Sequence, residues 1–276
     1  MTLFNDPVVL NGVKAFLAVI IILSNSILVF VTYKTKALNS TCNWLIAANS
    51  ACIALFSVSF FIQFGIVLLR PSGIPLWQCC LIIPIPLFFL CCQYILFPLI
   101  ALDRLIGVIF PLKQMDGRYK RRYMFFALIA STSFGLFIVA ASIGFLYDFG
   151  TGPGVFCELQ LGAQHQFCHS LFGTLETKLN DAVTQKVLFS LMAIFLVEMF
   201  GWASNWTVRL VLIQLDVTAV TEWFALSYFG FVMQLTLSLN GPILYALSGE
   251  YRTAFRAVLR IGKTSQPTTP LFVKKK

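Results

Sequence analysis

An aspartate and an arginine stand side by side, Asp103-Arg104, at the end of a long apolar run, and Pro111 follows seven residues after the arginine. A guanidinium at a membrane boundary is costly unless it is paired or hydrated, so an acid beside it makes a two-state element, held or released. The plain alternative is an arginine snorkelling to the interface. Farther along, Glu198, Trp202, Asn205 and Arg209 recur every three to four residues. At 100° per residue they share one helix face. Polar groups do not profitably face lipid, so this face is expected to look into a bundle. There it either lines a ligand cavity or forms an interhelical hydrogen-bond network. Gln93, inside another apolar run, joins Glu198, Trp202 and Asn205 as a cavity candidate.

Other chemistry is poorly supplied. His165 and His169 are spaced i, i+4, as helical metal ligands can be, but no third ligand of matching spacing joins them, and Cys168 alone is not enough. The adjacent pairs Cys79/Cys80 and Cys91/Cys92 lack zinc-site spacing, and most cysteines read as small apolar residues inside helices. No nucleophile–base pair stands out. The sequence therefore points away from an enzyme, and no metal or cofactor is expected. Two glycosylation sequons, at Asn39 and Asn205, fall on the expected cytoplasmic side and within a span, and neither is expected to be modified.

The elements that must position these residues are membrane helices. Hydrophobic residues make up 58% of the chain and charged residues 11%, against about 25% charged in an ordinary soluble domain. Too little polar surface remains to face water all round, so lipid is part of the solvent. The net charge of +9 sits in short blocks flanking apolar runs, which is a topological signal and not a nucleic-acid face. Six runs are long enough to span: about 8–33, 44–69, 79–102, 123–147, 187–213 and 223–247. The first has no cleavable leader before it and is expected to act as its own insertion signal.

Basic loops prefer the cytoplasm. Lys34 and Lys36, the run Arg118 to Arg122, and the tail from Arg252 to Lys276 therefore belong inside, and the N-terminus outside. That arrangement needs an odd number of spans, whereas the apolar runs supply six. Residues 154–175 are long enough to be the missing helix, but they carry Glu158, His165, His169 and three glutamines. The expected architecture is an all-α seven-helix transmembrane bundle with a weak or missing fifth helix. After it, residues 248–262 read as an amphipathic helix on the membrane surface, with Tyr251, Ala254, Phe255, Val258 and Leu259 on one side and Arg252, Arg256 and Arg260 on another. Residues 263–276 form a basic tail.

Asp103-Arg104 with Pro111, the Phe200-Gly201-Trp202 triplet, and the ending Gly249-Glu250-Tyr251-Arg252 with Ala254-Phe255 together resemble rhodopsin-like G-protein-coupled receptors, and nematode serpentine chemoreceptors of the Srsx-like type in particular. Asn25 fits the family's first-helix asparagine, and Pro242 and Tyr245 match its Pro-x-x-Tyr, with Gly241 where the asparagine usually stands and Asn240 before it. The resemblance implies a plasma-membrane chemosensory receptor that binds a small extracellular ligand among its helices and activates a heterotrimeric G protein. Asp103, Arg104, Pro111, Pro242 and Tyr245 would carry the switch and the coupling. It also implies a disulfide from Cys79 to Cys157, with Cys168 as the second choice of partner. Departures include the missing aspartate in the second helix, so a sodium-dependent switch is not expected, and the weak fifth helix. A transporter- or channel-like bundle is the alternative, favoured by Pro84, Pro86 and Pro98 and opposed by the lack of repeats. A non-signalling truncated receptor is another.

Overall fold

The computed structural model describes residues 6–69, 78, 82, 84–109, 117–149 and 182–259. Every element among them is helical: α1 Pro7–Lys34, a short 3-10 turn Lys36–Leu38, α2 Thr41–Leu69, α3 Pro84–Ile109, α4 Gly117–Phe149, α5 Ala182–Gln214, α6 Ala219–Ser238, α7 Asn240–Leu247 and α8 Gly249–Leu259. Local chemistry starts them. The Asp6 carboxylate accepts the Val8 N–H at 2.9 Å and Pro7 occupies the first helical position of α1, where its missing donor costs nothing. Thr218 caps α6 in the same way, through the Thr221 N–H.

Among the described residues, five segments are long and apolar enough to cross a membrane: Pro7–Lys34, Thr41–Leu69, Pro84–Asp103, Arg121–Ala141 and Val220–Leu247. Helix α5 is as long as α4 but is broken up by Glu198, Asn205 and Arg209, and it is not among the five. Phe16, Leu23 and Phe30 of α1 and Phe125, Phe126, Leu136 and Phe137 of α4 point outward and are exposed. In water that belt would be an aggregation surface; against hydrocarbon it is the expected solvent face. The chain is a multi-pass membrane protein.

Helix α1 packs on α2, α2 on α3 and α3 on α4, while α5 packs on α6 and α7, and α1 closes the ring against α6. Cross-contacts give the directions. Tyr123 Oη donates to the Leu99 carbonyl at 2.7 Å, Cys92 Sγ to the Ser131 carbonyl at 3.5 Å, and Gly135 lies against Phe88. So α4 runs antiparallel to α3. In α5, Ile194 packs with Leu28, Leu38, Cys42 and Leu96, whereas Arg209 lies near Lys14 at the opposite end. Helices α4 and α5 therefore run in the same direction. Residues 154–175 themselves lie outside the described residues.

Two apolar clusters form the core. One joins Leu28, Val31, Leu45, Leu96, Ile194 and Leu244 with Tyr251, Ala254 and Phe255 of α8. The other joins Ile21, Ile53, Phe60, Leu90, Met233 and Leu237. The apolar face of α8 is thus partly spent on protein: Tyr251, Ala254 and Phe255 are buried against the bundle, Val258 is half-buried, and Leu259 stays exposed beside Arg252 and Arg256.

Candidate functional site

The last span does not run straight. Its first half, α6, ends at Ser238 with Leu239 as its C-cap, and α7 begins at Asn240. Pro242 has no N–H to offer the Ser238 carbonyl four residues back. Ser24 Oγ of α1 fills that vacancy at 3.0 Å, and Asn25 Nδ2 donates to the neighbouring Leu237 carbonyl at 3.2 Å and to its own Ile21 carbonyl at 2.9 Å. Gly241 allows the approach: a Cβ there would lie 2.8 Å from Ser24 Oγ. Farther on, Tyr245 ties α7 to α8. Its carbonyl accepts from Arg252 Nε at 3.1 Å, its hydroxyl from Arg256 Nε at 3.4 Å, and its ring meets Phe255 edge-on at 5.9 Å. Arg252 also caps the Ala246 carbonyl.

The break turns Asn240 inward. Asn240 Nδ2 donates to Glu198 Oε1 at 2.7 Å, and Gln93 Nε2 donates to Glu198 Oε2 at 3.1 Å. All three side chains are buried. The trio joins α3, α5 and α7 and sits between the two apolar clusters: Leu90 and Leu96 flank Gln93, and Leu237 and Leu244 flank Asn240. In such dry surroundings each lost partner leaves a buried polar group, at about 1–3 kcal/mol apiece.

One helical turn past Glu198, Trp202 meets Tyr94 edge-on at 5.4 Å. Its position is set by Gly201, where a side chain would collide with Thr236 and approach Met233 Cα to 3.2 Å, so α5 and α6 touch closely there. Trp202 is also part of a cavity with about 100 Å³ of water-accessible space. Since one water needs about 10–15 Å³ of such space, this is room for a small ligand. Apolar walls come from Phe56, Phe60, Leu90, Leu226 and Met233, and polar groups from Ser59, Gln63 and Asn205. Lys14 and Arg209 add two cations. Lys14 is buried, donates to Ser227 Oγ at 3.0 Å and has the Trp223 ring 6.0 Å from Nζ. Arg209 lies 5.8 Å from the Trp206 ring and 3.9 Å from Glu222.

The residues singled out by sequence thus separate. Trp202 and Asn205 line the cavity; Gln93 and Glu198 are instead bonded to each other below it. Asp103 is buried at the far end of α3. The backbone of Arg104 is helical, but its side chain lies outside the described residues, as do Pro111, Cys79 and Cys157. Four participants were not anticipated. Lys14 carried a signal, a lone cation inside an apolar span, which is costly by about 2.5–3.5 kcal/mol at mid-membrane and so rarely idle. Asn240 was visible as a displaced motif residue but not as the partner of Glu198. Gln63 and Ser59 carried no signal above an ordinary polar residue in a helix.

The model of the family described as serpentine type 7TM GPCR chemoreceptor Srsx matches residues 18–180 and 171–259. The chain belongs to the Srsx chemoreceptor family. No curated protein matches it. For this Srsx chain, membership makes it a chemosensory receptor of the G-protein-coupled type and gives the bundle its seven-span plan. Within that plan α5 takes the sixth place, α6 with α7 the seventh, and α8 the short helix that follows.

Proposed function

We propose that a small ligand enters this receptor from outside the cell, binds in the cavity beside Trp202, and shifts the bundle toward a state that engages a heterotrimeric G protein at the Asp103-Arg104 end. The observation that carries this reading is the continuity of contacts along the bundle. The cavity floor at Trp202 adjoins Tyr94 and Glu198; Glu198 bonds Asn240; Asn240 opens the bent segment whose Tyr245 holds α8. A ligand pressing on Trp202 has a chain of packed and hydrogen-bonded groups through which to bias the far end. Charge supports the orientation. Lys34, Lys36, Arg121, Arg122, Arg252 and Arg256 lie at the end away from the cavity, which the positive-inside rule assigns to the cytoplasm of a plasma-membrane protein.

The test is a second-messenger assay in cells expressing the full chain, challenged with chemically diverse small molecules. An active compound should lose its response in Arg104→Ala, with surface expression and ligand binding retained. A response of full size in Arg104→Ala would overturn the coupling role, and ligand-dependent solute uptake in place of a second messenger would favour a transporter.

A further inference from the structure

We propose that the ligand of this cavity carries an amide edge, an N–H donor beside a C=O acceptor, on an otherwise apolar ring, and that Gln63 and Asn205 read that edge. This names the ligand class of the site above and rests on that reading. Gln63 of α2 and Asn205 of α5 each bring an NH2 group and a carbonyl oxygen to the cavity wall, and Ser59 adds a hydroxyl one turn before Gln63. Polar groups deeper in the bundle are spent on neighbouring helices. Asn25 bonds the Leu237 carbonyl, Gln234 bonds the Lys14 carbonyl, and Gln93 and Asn240 bond Glu198. Gln63 and Asn205 form no hydrogen bond among the described residues. Neither carboxamide therefore ties helices together. Both are half-buried on the cavity wall, where solvent or a ligand must supply their partners.

A carboxamide donates and accepts from one edge. A ligand that only donates or only accepts leaves half of that edge unpaired in apolar surroundings, whereas an amide satisfies both halves. A site built this way rejects the analogue that lacks one of the two groups. A carboxylate fails by the same rule, because it has no donor. The cations in the wall are already engaged: Lys14 donates to Ser227 Oγ, and Arg209 lies 3.9 Å from Glu222. Phe56, Phe60, Leu90 and Met233 offer only hydrocarbon and thioether, so the rest of the ligand must be apolar. Trp202 and Trp206, which flank Asn205 on α5, add indole rings against which a flat body packs. Space of about 100 Å³ holds about seven to ten water-sized positions, enough for one ring with its amide.

Four compounds of one shape test this on the purified full-length receptor, by titration calorimetry and thermal shift. Benzamide donates and accepts, acetophenone only accepts, benzoate accepts as an anion, and benzamidinium donates as a cation. Benzamide should bind at least about tenfold more tightly than each of the others, the scale of one stranded buried polar group. δ-Valerolactam should exceed cyclohexanone by a similar factor. Gln63→Leu and Asn205→Leu should each narrow the preference for benzamide, and together remove it. Thr132→Val, on the exposed face of α4, should leave it intact. Leucine at 63 or 205 strands no hydrogen-bond partner among the described residues, and if the double variant does not fold, the single variants carry the test. Equal binding of benzamide and acetophenone, tighter binding of benzoate or benzamidinium, or a preference unchanged by the leucine substitutions would overturn the amide assignment alone. No binding by any of the six compounds would overturn the cavity as the ligand site, and the amide assignment with it.

Discussion

Glu198 is held by two amides, one on each oxygen, and this makes its substitutions unequal. In Glu198→Leu both donors lose their acceptor, and Gln93 and Asn240 are left with buried amide groups. About 2–4 kcal/mol of stability should go, since each stranded group costs about 1–3 kcal/mol. Glu198→Gln keeps the shape but brings an NH2 group against one of two existing NH2 groups. Gln93 Oε1 and Asn240 Oδ1 accept no hydrogen bond among the described residues, so rotating one amide by 180° turns that donor clash into a donor–acceptor pair. The glutamine variant should therefore stay within about 1 kcal/mol of the parent. Thermal unfolding of the three proteins in detergent measures the order. A glutamine variant as unstable as the leucine one would mean that the trio is not the interlocked group described above.

At the scale of the element, the bend between α6 and α7 is a property of α1 as much as of the last span. Pro242 removes one donor, but Ser24 supplies its replacement and occupies the space that Gly241 leaves, while Asn25 bonds the adjacent Leu237 carbonyl. Gly241→Ala should cost about 1–3 kcal/mol, because its methyl meets Ser24 Oγ in a packed interior. Ser24→Ala removes that oxygen, and the remaining contacts at Gly241, 3.4 and 3.9 Å, are to the Ser24 backbone. The double variant should then be more stable than Gly241→Ala alone, a coupling readable in a double-mutant cycle of melting temperatures. Strict additivity would place the strain of Gly241→Ala elsewhere. Much of this element was readable from sequence: proline and glycine announce a bend because their effects are local to the backbone. Its partner was not, because nothing in the spacing of residues 20–30 says which helix they will touch. The same distinction divides the Glu198 face. Periodicity shows that Glu198 and Trp202 point inward together, but only the packed bundle separates Gln93 and Glu198, bonded to each other, from Trp202 and Asn205 in the cavity wall.

For the whole molecule, charge and apolar length disagreed about the number of spans, and direction of travel resolves the disagreement. Helices α4 and α5 both run from the basic end toward the cavity end, which six alternating apolar runs alone would not allow. Composition could not settle this, because a crossing sheltered by neighbouring helices tolerates polar residues that a lipid-facing one does not. The consequence is a definite topology. The α5–α6 turn around Asp216 and the start of α1 at Asp6 share the cavity end, with Glu222 nearby. The turn Lys36–Leu38, the start of α4 and all of α8 share the other end, which carries exposed Arg121, Arg122, Arg252 and Arg256. Glycosylation sequons inserted singly at Asp216 and at Ala37 report which side each end faces. The Asp216 insertion should acquire glycan in cells and the Ala37 insertion should not. Asp216 is suited to an insertion, since it is exposed and already has a left-handed backbone (φ 47°) in the turn. Glycan at Ala37 with none at Asp216 would invert the molecule, place the cavity toward the cytoplasm, and remove the extracellular entry on which the receptor mechanism depends.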